Sequence, residues 1–220
     1  MNTYCVLFGV QNLSCADVQG KRVLEAGALD VNGSLRPVID RCRPSEYVGV
    51  DIQKGRGVDR VCDVTGLIEM FGAESFDVVI ATELIEHVRD WRKAINNLKA
   101  VCRKGGTLLV TTRSYGFEYH GFPDDYWRYE EADMKEIFTD CDIEHIAQDP
   151  EWGVCIKVRK ADRFLEKDLS RLELYSVVTG RRVRDVADGD LKSMHFRWLM
   201  WKKAIRFFLC RKIGDRLIPR

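Results

Sequence analysis

The sequence predicts an α/β fold, a mostly parallel sheet with helices packed against it. Two stretches carry that expectation. Val23–Gly33 (VLEAGALDVNG) begins with apolar Val23 and Leu24 and then places Glu25, Gly27, Asp30 and Gly33. That is the pattern of a buried strand ending in a tight glycine turn that feeds a helix. Phe76–Ala81 (FDVVIA) is a near-continuous apolar run, as expected of a strand buried on both faces.

The other elements follow in order. Residues 3–20 read as a helix or cap leading into the first strand, Arg22–Ala26. Ser34–Arg41 reads as a helix with Pro37 in its first turn, where proline is tolerated. Glu46–Ile52 is the second strand, and Val58–Val64 is a third that ends at Asp63. After Phe76–Ala81, Asp90 is a good N-cap, and Trp91, Ile95, Leu98 and Cys102 follow at helical spacing, with Gly105 as the stop. Thr107–Thr112 is the next strand. Arg113–Tyr129 is a long loop holding seven aromatics: Tyr115, Phe117, Tyr119, Phe122, Tyr126, Trp127 and Tyr129. A long loop of this kind after a strand is usually functional. Glu130–Phe138 reads as a helix, and Asp142–Gln148 and Val154–Lys160 as two final strands.

From Ala161 the composition shifts. Residues 161–192 are highly charged with no clear strand. Residues 194–209 form an amphipathic helix, with Met194, Trp198, Trp201, Ile205 and Phe208 on one stripe and Arg197, Lys202, Lys203 and Arg206 largely elsewhere. The expected organisation is a ligand-binding domain over 1–160, then a charged linker and basic helix over 161–220.

The 220 residues suffice for a sizeable core, and 45% apolar with 31% charged residues is an ordinary soluble balance. Charge is uneven. Residues 193–220 hold eight Lys/Arg against one acid, Asp215, a net +7 that leaves −6 of the overall +1 for the rest. An acidic body argues against a nucleic-acid groove, and the basic tail is the candidate contact for lipid or an acidic partner. The eight cysteines contain no C-x-x-C, and Cys5, Cys62, Cys102 and Cys155 sit among apolar residues, so reduced core thiols in a cytoplasmic protein are expected. The sequence shows neither signal-peptide features nor a run of eighteen apolar residues, so neither leader nor membrane span is expected.

The glycine turn limits the ligand. A dinucleotide pyrophosphate wants G-x-G-x-x-G at a helix N-terminus, and here Leu29 stands at the second glycine while Asp30 would repel phosphate. No Gly-Lys-Ser/Thr is present, which removes a P-loop. Glu25 and Asp30 suit a nucleoside that carries positive charge and no phosphate, as S-adenosylmethionine does. Asp51 lies 24 residues beyond Gly27 at the tip of the second strand, the place of an acid that binds ribose hydroxyls.

Glu25-x-Gly27-x-Leu29 resembles motif I (E-x-G-x-G) of class I S-adenosylmethionine-dependent methyltransferases, with leucine in place of the second glycine. The strand–ATELIEHV–helix–KGG–strand series is similar to the same class, and GFPDDYWRY is the more specific mark. The resemblance covers residues 20–160. It implies a Rossmann-like three-layer sandwich with a seven-stranded, mostly parallel sheet whose last hairpin is antiparallel, extended here by the helical basic tail. It also implies S-adenosylmethionine as donor. By matching position, Glu25 and Gly27 lie under the methionine part, Asp51 holds the ribose, Asp63 and Val64 flank the adenine, and Thr82 and Glu83 line the methyl side; Ala28, Asp30 and Ile52 complete the expected cofactor-binding set.

Methyl transfer from a sulfonium needs a positioned nucleophile and, where it carries a proton, a base. His87, just after the fourth strand, and His120, inside the aromatic loop, are the candidates. His87 reads equally as a residue packing against the cofactor pocket, and His120 as a loop histidine bonded to Asp124 or Asp125. Glu83-x-x-Glu86-His87 with His120 also resembles the metal site of small-RNA 2′-O-methyltransferases, although E-x-x-E-H is frequent in small-molecule methyltransferases that hold no metal there. No metal is assigned. The expected activity is transfer to an oxygen or nitrogen of a small acceptor, a sugar or lipid-linked glycan among the candidates. The alternatives are the metal-dependent RNA enzyme, a non-catalytic cofactor-binding scaffold and, more distantly, a dehydrogenase. The tail helix packs on its own body, forms a homodimer, or lies on the inner face of a membrane.

Overall fold

The computed structural model describes residues 2–121 and 124–217, with side chains as far as Ile205. In chain order the strands are β1 (Arg22–Ala26), β2 (Glu46–Asp51), β3 (Arg60–Val61), β4 (Phe76–Thr82), β5 (Cys102–Arg113), β6 (Trp127–Arg128), β7 (Cys141–Asp149), β8 (Gly153–Lys160), β9 (Leu174–Ser176) and β10 (Arg181–Val183). The helices are α1 (Thr3–Asn12), α2 (Cys15–Val18), α3 (Arg36–Ile39), α4 (Leu67–Phe71), α5 (Trp91–Val101), α6 (Glu131–Ile137) and α7 (Met194–Leu217).

Seven strands form one sheet in the order β3-β2-β1-β4-β5-β8-β7. The first five run parallel, and β8 and β7 close it as an antiparallel pair. Alternation along the central strands builds the three layers. Val23, Val78, Ile80 and Leu109 face one side and meet Phe8, Val18, Leu35 and Ile39 from α1 to α3. Leu24, Val79, Ala81, Leu108 and Val110 face the other and meet Trp91, Ile95 and Leu98 of α5 and Met134 and Ile137 of α6. Chain order reverses at β1 and β4, which opens a crevice beyond their carboxyl ends.

Several elements differ from expectation. The chain after Gly27 stays irregular until α3, which is four residues with Pro37 in its first turn. Strand β3 is two residues, and Asp63 caps the single 3-10 turn Val64–Gly66. Helix α5 starts at the Asp90 cap, whose carboxylate accepts from Lys93 N, but stops at Val101. Gly105 and Gly106 lie inside β5, at a register shift where Phe76 pairs Cys102 and Val78 pairs Thr107. A Cβ on Gly106 would stand 2.8 Å from the Asp77 carbonyl, so close backbone approach rather than a helix stop requires it.

The cysteines also depart in part. Cys5, Cys62, Cys102, Cys141 and Cys155 are free thiols, but Cys15 and Cys42 form a disulfide. Cys15 opens α2 and Cys42 ends the turn after α3, which brings their Cα atoms to 4.8 Å, within bonding range.

Residues 161–192 are charged yet not strand-free. Strands β9 and β10 add to β6 as a small antiparallel sheet, and Leu169, Leu174, Val178 and Val186 join the α5-side core. Arg92 of α5 fastens this segment by donating to the carbonyls of Leu169, Leu172 and Arg184. Phe122 and Pro123 lie outside the described residues, as do the side chains of Arg206 and Phe208.

One buried ion pair ties α5 to the end of α6. Lys99 Nζ is fully buried and donates to Asp140 at 2.7 Å and to the Ile137 carbonyl at 2.6 Å. Removing one partner of such a pair strands the other in a low dielectric. Lys99→Ala is expected to lower unfolding free energy by about 3–5 kcal/mol. Urea denaturation followed by circular dichroism checks this, and an unchanged midpoint would refute it.

Candidate active site

The crevice at the β1–β4 reversal is a cavity of about 740 Å³. Its lining includes Glu25, Gly27 and Ala28 from β1 and its turn, Asp51 and Ile52 from β2, Asp63 and Val64 after β3, and Thr82 and Glu83 from β4. His87, from the 3-10 turn Ile85–His87, and His120, from the aromatic loop, also line it. Sequence positions spread over nearly a hundred residues thus converge because parallel strands present all their carboxyl ends on one edge.

Asp30 is the exception. Its carboxylate pairs with Arg56 at 3.1 Å and accepts from Gly33 N at 3.0 Å, and it is not among the residues lining the cavity. Leu29, Val31 and Asn32 line the cavity on either side of it, while Asp30 N donates to the Arg56 carbonyl.

Each lining acid is held differently. Glu25 is buried and accepts from the Tyr47 hydroxyl at 2.7 Å, and burial pushes its carboxyl above the usual range. Gly27 turns with φ 78°, and a Cβ there would stand 3.1 Å from Leu84 Cβ, so the turn stays low and open over the cavity. Asp51 accepts from Leu29 N at 3.3 Å and Gln53 N at 3.0 Å, which fixes its carboxylate at the strand tip. Asp63 Oδ1 accepts from Thr65 N at 2.8 Å. Glu83 sits at φ 50°, a left-handed position rare for glutamate, and its carboxylate pairs with Arg113. A set of carboxylates on one lip with an apolar floor of Ala28, Val50 and Val64 fits a cationic nucleoside such as S-adenosylmethionine.

The aromatic loop supplies the opposite wall. His120 Nδ1 meets Asp125 Oδ2 at 2.8 Å, and a carboxylate there accepts Nδ1–H and leaves Nε2 as a proton acceptor. Asp125 is gripped by Arg128 through two bonds of 2.6 and 2.8 Å. Burial alone would raise the Asp125 carboxyl, but the hydrogen bonds from Arg128 and His120 outweigh it and hold the group well below the usual carboxylate range. Arg128 is itself buried and donates to the Phe117, Glu118 and Trp127 carbonyls, so it shapes the loop around the histidine. The His120 ring packs edge-on against His87 at 4.7 Å and Phe117 at 4.9 Å. His87 donates from Nδ1 to the Asp124 carbonyl.

The ligand atoms of Glu86, His87 and His120 lie within 4.8 Å of one another. Glu86 is fully buried; Oε2 accepts from Thr112 at 2.9 Å, while Oε1 has no hydrogen-bond partner among the described residues. Glu83, the remaining member of the resembling metal set, is instead turned to Arg113.

Residues absent from the sequence-based set also line the cavity. Asn2 reaches it from the N-terminus and donates to Asp149 at 2.5 Å, and Arg113 lies 4.1 Å over the Phe117 ring. Nothing local marks Asn2, whereas Arg113 ends β5 on the same carboxyl edge as Thr82. Asp125 and Arg128 had a local signal, an i,i+3 acid–base pair inside the aromatic loop.

Residues 8–151 match the family model described as a methyltransferase domain. A ubiquinone biosynthesis O-methyltransferase from Parvibaculum lavamentivorans is 30% identical over 70 residues, spanning 32% of this chain and 27% of that protein. The fold is shared with a 1,6-didemethyltoxoflavin-N1-methyltransferase from Burkholderia thailandensis, solved with 1,6-didemethyltoxoflavin and S-adenosylhomocysteine (TM-score 0.57, 16% identity, 72% of this chain and 79% of that one). It is shared too with an S-adenosylmethionine-dependent methyltransferase from Mesorhizobium loti (TM-score 0.55, 14% identity, 71% and 98%).

The Asp125 geometry sets a pH dependence. A carboxyl held low in the folded state adds stability above its unfolded value, about pH 4, and that contribution is lost as pH falls through the folded value. Asp125→Asn removes this acid-sensitive contribution and leaves Arg128 buried without its charge partner. A loss of about 3–5 kcal/mol at pH 7 is expected, shrinking toward acid pH. Urea titrations across pH check it, and a pH-independent difference would refute it.

Proposed function

The chain belongs to the S-adenosylmethionine-dependent methyltransferases, and from that premise we propose that it methylates an oxygen or nitrogen of a small acceptor, with a sugar or lipid-linked glycan the leading candidate. The observation that carries the reading is the buried Arg128–Asp125 pair and the half-buried His120 bonded to it, which face a cavity whose opposite lip is lined with carboxylates. The relatives named above perform, by name, one O-transfer and one N-transfer, both consistent with a base that accepts a proton from O–H or N–H.

When bound, S-adenosylmethionine supplies a methyl group already activated by the sulfonium, so no covalent enzyme intermediate is needed. Asp51 would hold its ribose hydroxyls, with Ile52 beside it; Glu25 and Gly27, with Ala28 next to them, would underlie the methionine part, Asp63 and Val64 would flank the adenine, and Thr82 and Glu83 would line the methyl side. Acceptor selection falls to the aromatic loop. Phe117 and Tyr126 offer flat apolar surface, and His120 Nε2 takes the acceptor proton. The imidazolium that results lies against Asp125, whose low proton affinity keeps it an anion throughout. His87 anchors the loop through the Asp124 carbonyl and keeps His120 packed edge-on.

One observation favours a second reading. The unpartnered, buried Glu86 Oε1 lies 3.9 Å from His87 Nε2 and near His120, a set with the donor chemistry for a divalent ion. Such an ion would engage His120 in place of a proton, as in the RNA 2′-O-methyltransferase alternative. The base reading needs no such ion and leaves His120 Nε2 open to the acceptor proton.

Two variants separate the roles. Asp51→Ala is expected to weaken S-adenosylhomocysteine binding roughly 10–100-fold by calorimetry. His120→Gln should leave that affinity unchanged and reduce S-adenosylhomocysteine release on a panel of small hydroxyl and amine acceptors by about 10²–10⁴-fold. Chelator sensitivity of wild-type turnover, restored by a divalent ion, would favour the metal reading instead. A dinucleotide that binds where S-adenosylhomocysteine does not would overturn both.

A further inference from the structure

The outer face of α7 takes no part in the chemistry above. Its first turns dock on the body through Phe196, whose ring meets Tyr119 at 5.7 Å, and through Lys203, whose ammonium lies 4.8 Å over the same ring. Leu199 and Met200, on that side, are half-buried. The opposite side carries Met194, Trp198, Trp201 and Ile205, which are 87%, 49%, 61% and 38% exposed. At helical spacing these four fall within an arc of roughly 60°. Arg197 and Lys202 border the stripe, and Lys202 Nζ lies 3.7 Å over the Trp198 ring. The helix therefore has one face covered by its own chain and a second, tryptophan-rich face edged with cations.

We propose that α7 lies flat in the interface of an anionic phospholipid bilayer, with Met194, Trp198, Trp201 and Ile205 entering the headgroup boundary. Among the described residues no helix is long and apolar enough to cross a membrane, so the contact is peripheral. Tryptophan suits that depth because its ring is apolar and its N–H can stay hydrated. Charge selects the partner. The segment 193–220 carries +7, which anionic headgroups complement. An isologous dimer through the same stripe would instead set two such segments against each other. A nucleic acid would offer the Met194, Trp198, Trp201 and Ile205 stripe no apolar layer to enter. The contact lies beside the acceptor wall, because Tyr119, on which α7 rests, precedes His120.

The test is flotation of the full chain with vesicles of equal parts phosphatidylglycerol and phosphatidylcholine, against phosphatidylcholine alone. Arg197 and Lys202 at the surface, at about 1 kcal/mol each, predict a preference of roughly thirtyfold for the anionic vesicles, lost in high salt, with a blue shift of tryptophan emission. Trp198→Ala/Trp201→Ala should cut binding at least about tenfold. S-adenosylhomocysteine affinity should stay unchanged in that variant, which shows the body intact. Absence of binding to anionic vesicles at low salt, equal binding to both compositions, or undiminished binding of the double variant each overturns the proposal. So does a solution dimer that the double variant dissociates while vesicles bind neither form.

Discussion

Two parallel neighbours, β1 and β4, send their chains away in opposite directions, and no connection can cover the gap between their carboxyl ends. Everything chemical in this protein depends on that gap. It explains why the acids that matter stand at strand tips and not in strand interiors, where an ionised group would have to be paired. Glu25 is the partial exception, one residue inside β1, and it needs the Tyr47 hydroxyl as a consequence.

Across the gap, the aromatic loop is organised by charge buried beneath it. Arg128 spends its guanidinium on Asp125 and on three backbone carbonyls, so one fully buried side chain fixes both the course of the loop and the carboxylate behind His120. The aromatics divide the remaining work. Trp127 and Tyr129 lock into the core against Trp91, while Phe117 and Tyr126 face the cavity.

The central strands were legible because a strand buried on both faces must be apolar nearly throughout, as FDVVIA is. The carboxylate row was legible because strand tips recur at a spacing set by the strand–helix unit. Short strands were not. Strand β6 pairs with β9 almost fifty residues later, and β10 is Arg-Arg-Val with both arginines exposed, so neither carries a pattern of its own. The Gly105–Gly106 pair misled for a physical reason, since a helix end and a strand bulge both call for glycine. Asn2 reaches the cavity through tertiary packing alone, and the Cys15–Cys42 pairing follows from α2 and α3 meeting on one side of the sheet.

The reach of Arg92 changes where this molecule can be divided. Its guanidinium closes three carbonyls that belong to residues 169–184, and Trp127 lies in the strand that those residues flank. A chain severed after Lys160 would leave the outer edge of β6 bare and strip the half-buried Arg92 of its three carbonyl partners. Inheritance of the catalytic unit as a module, by fusion or by exchange between genes, therefore has to carry the charged segment along.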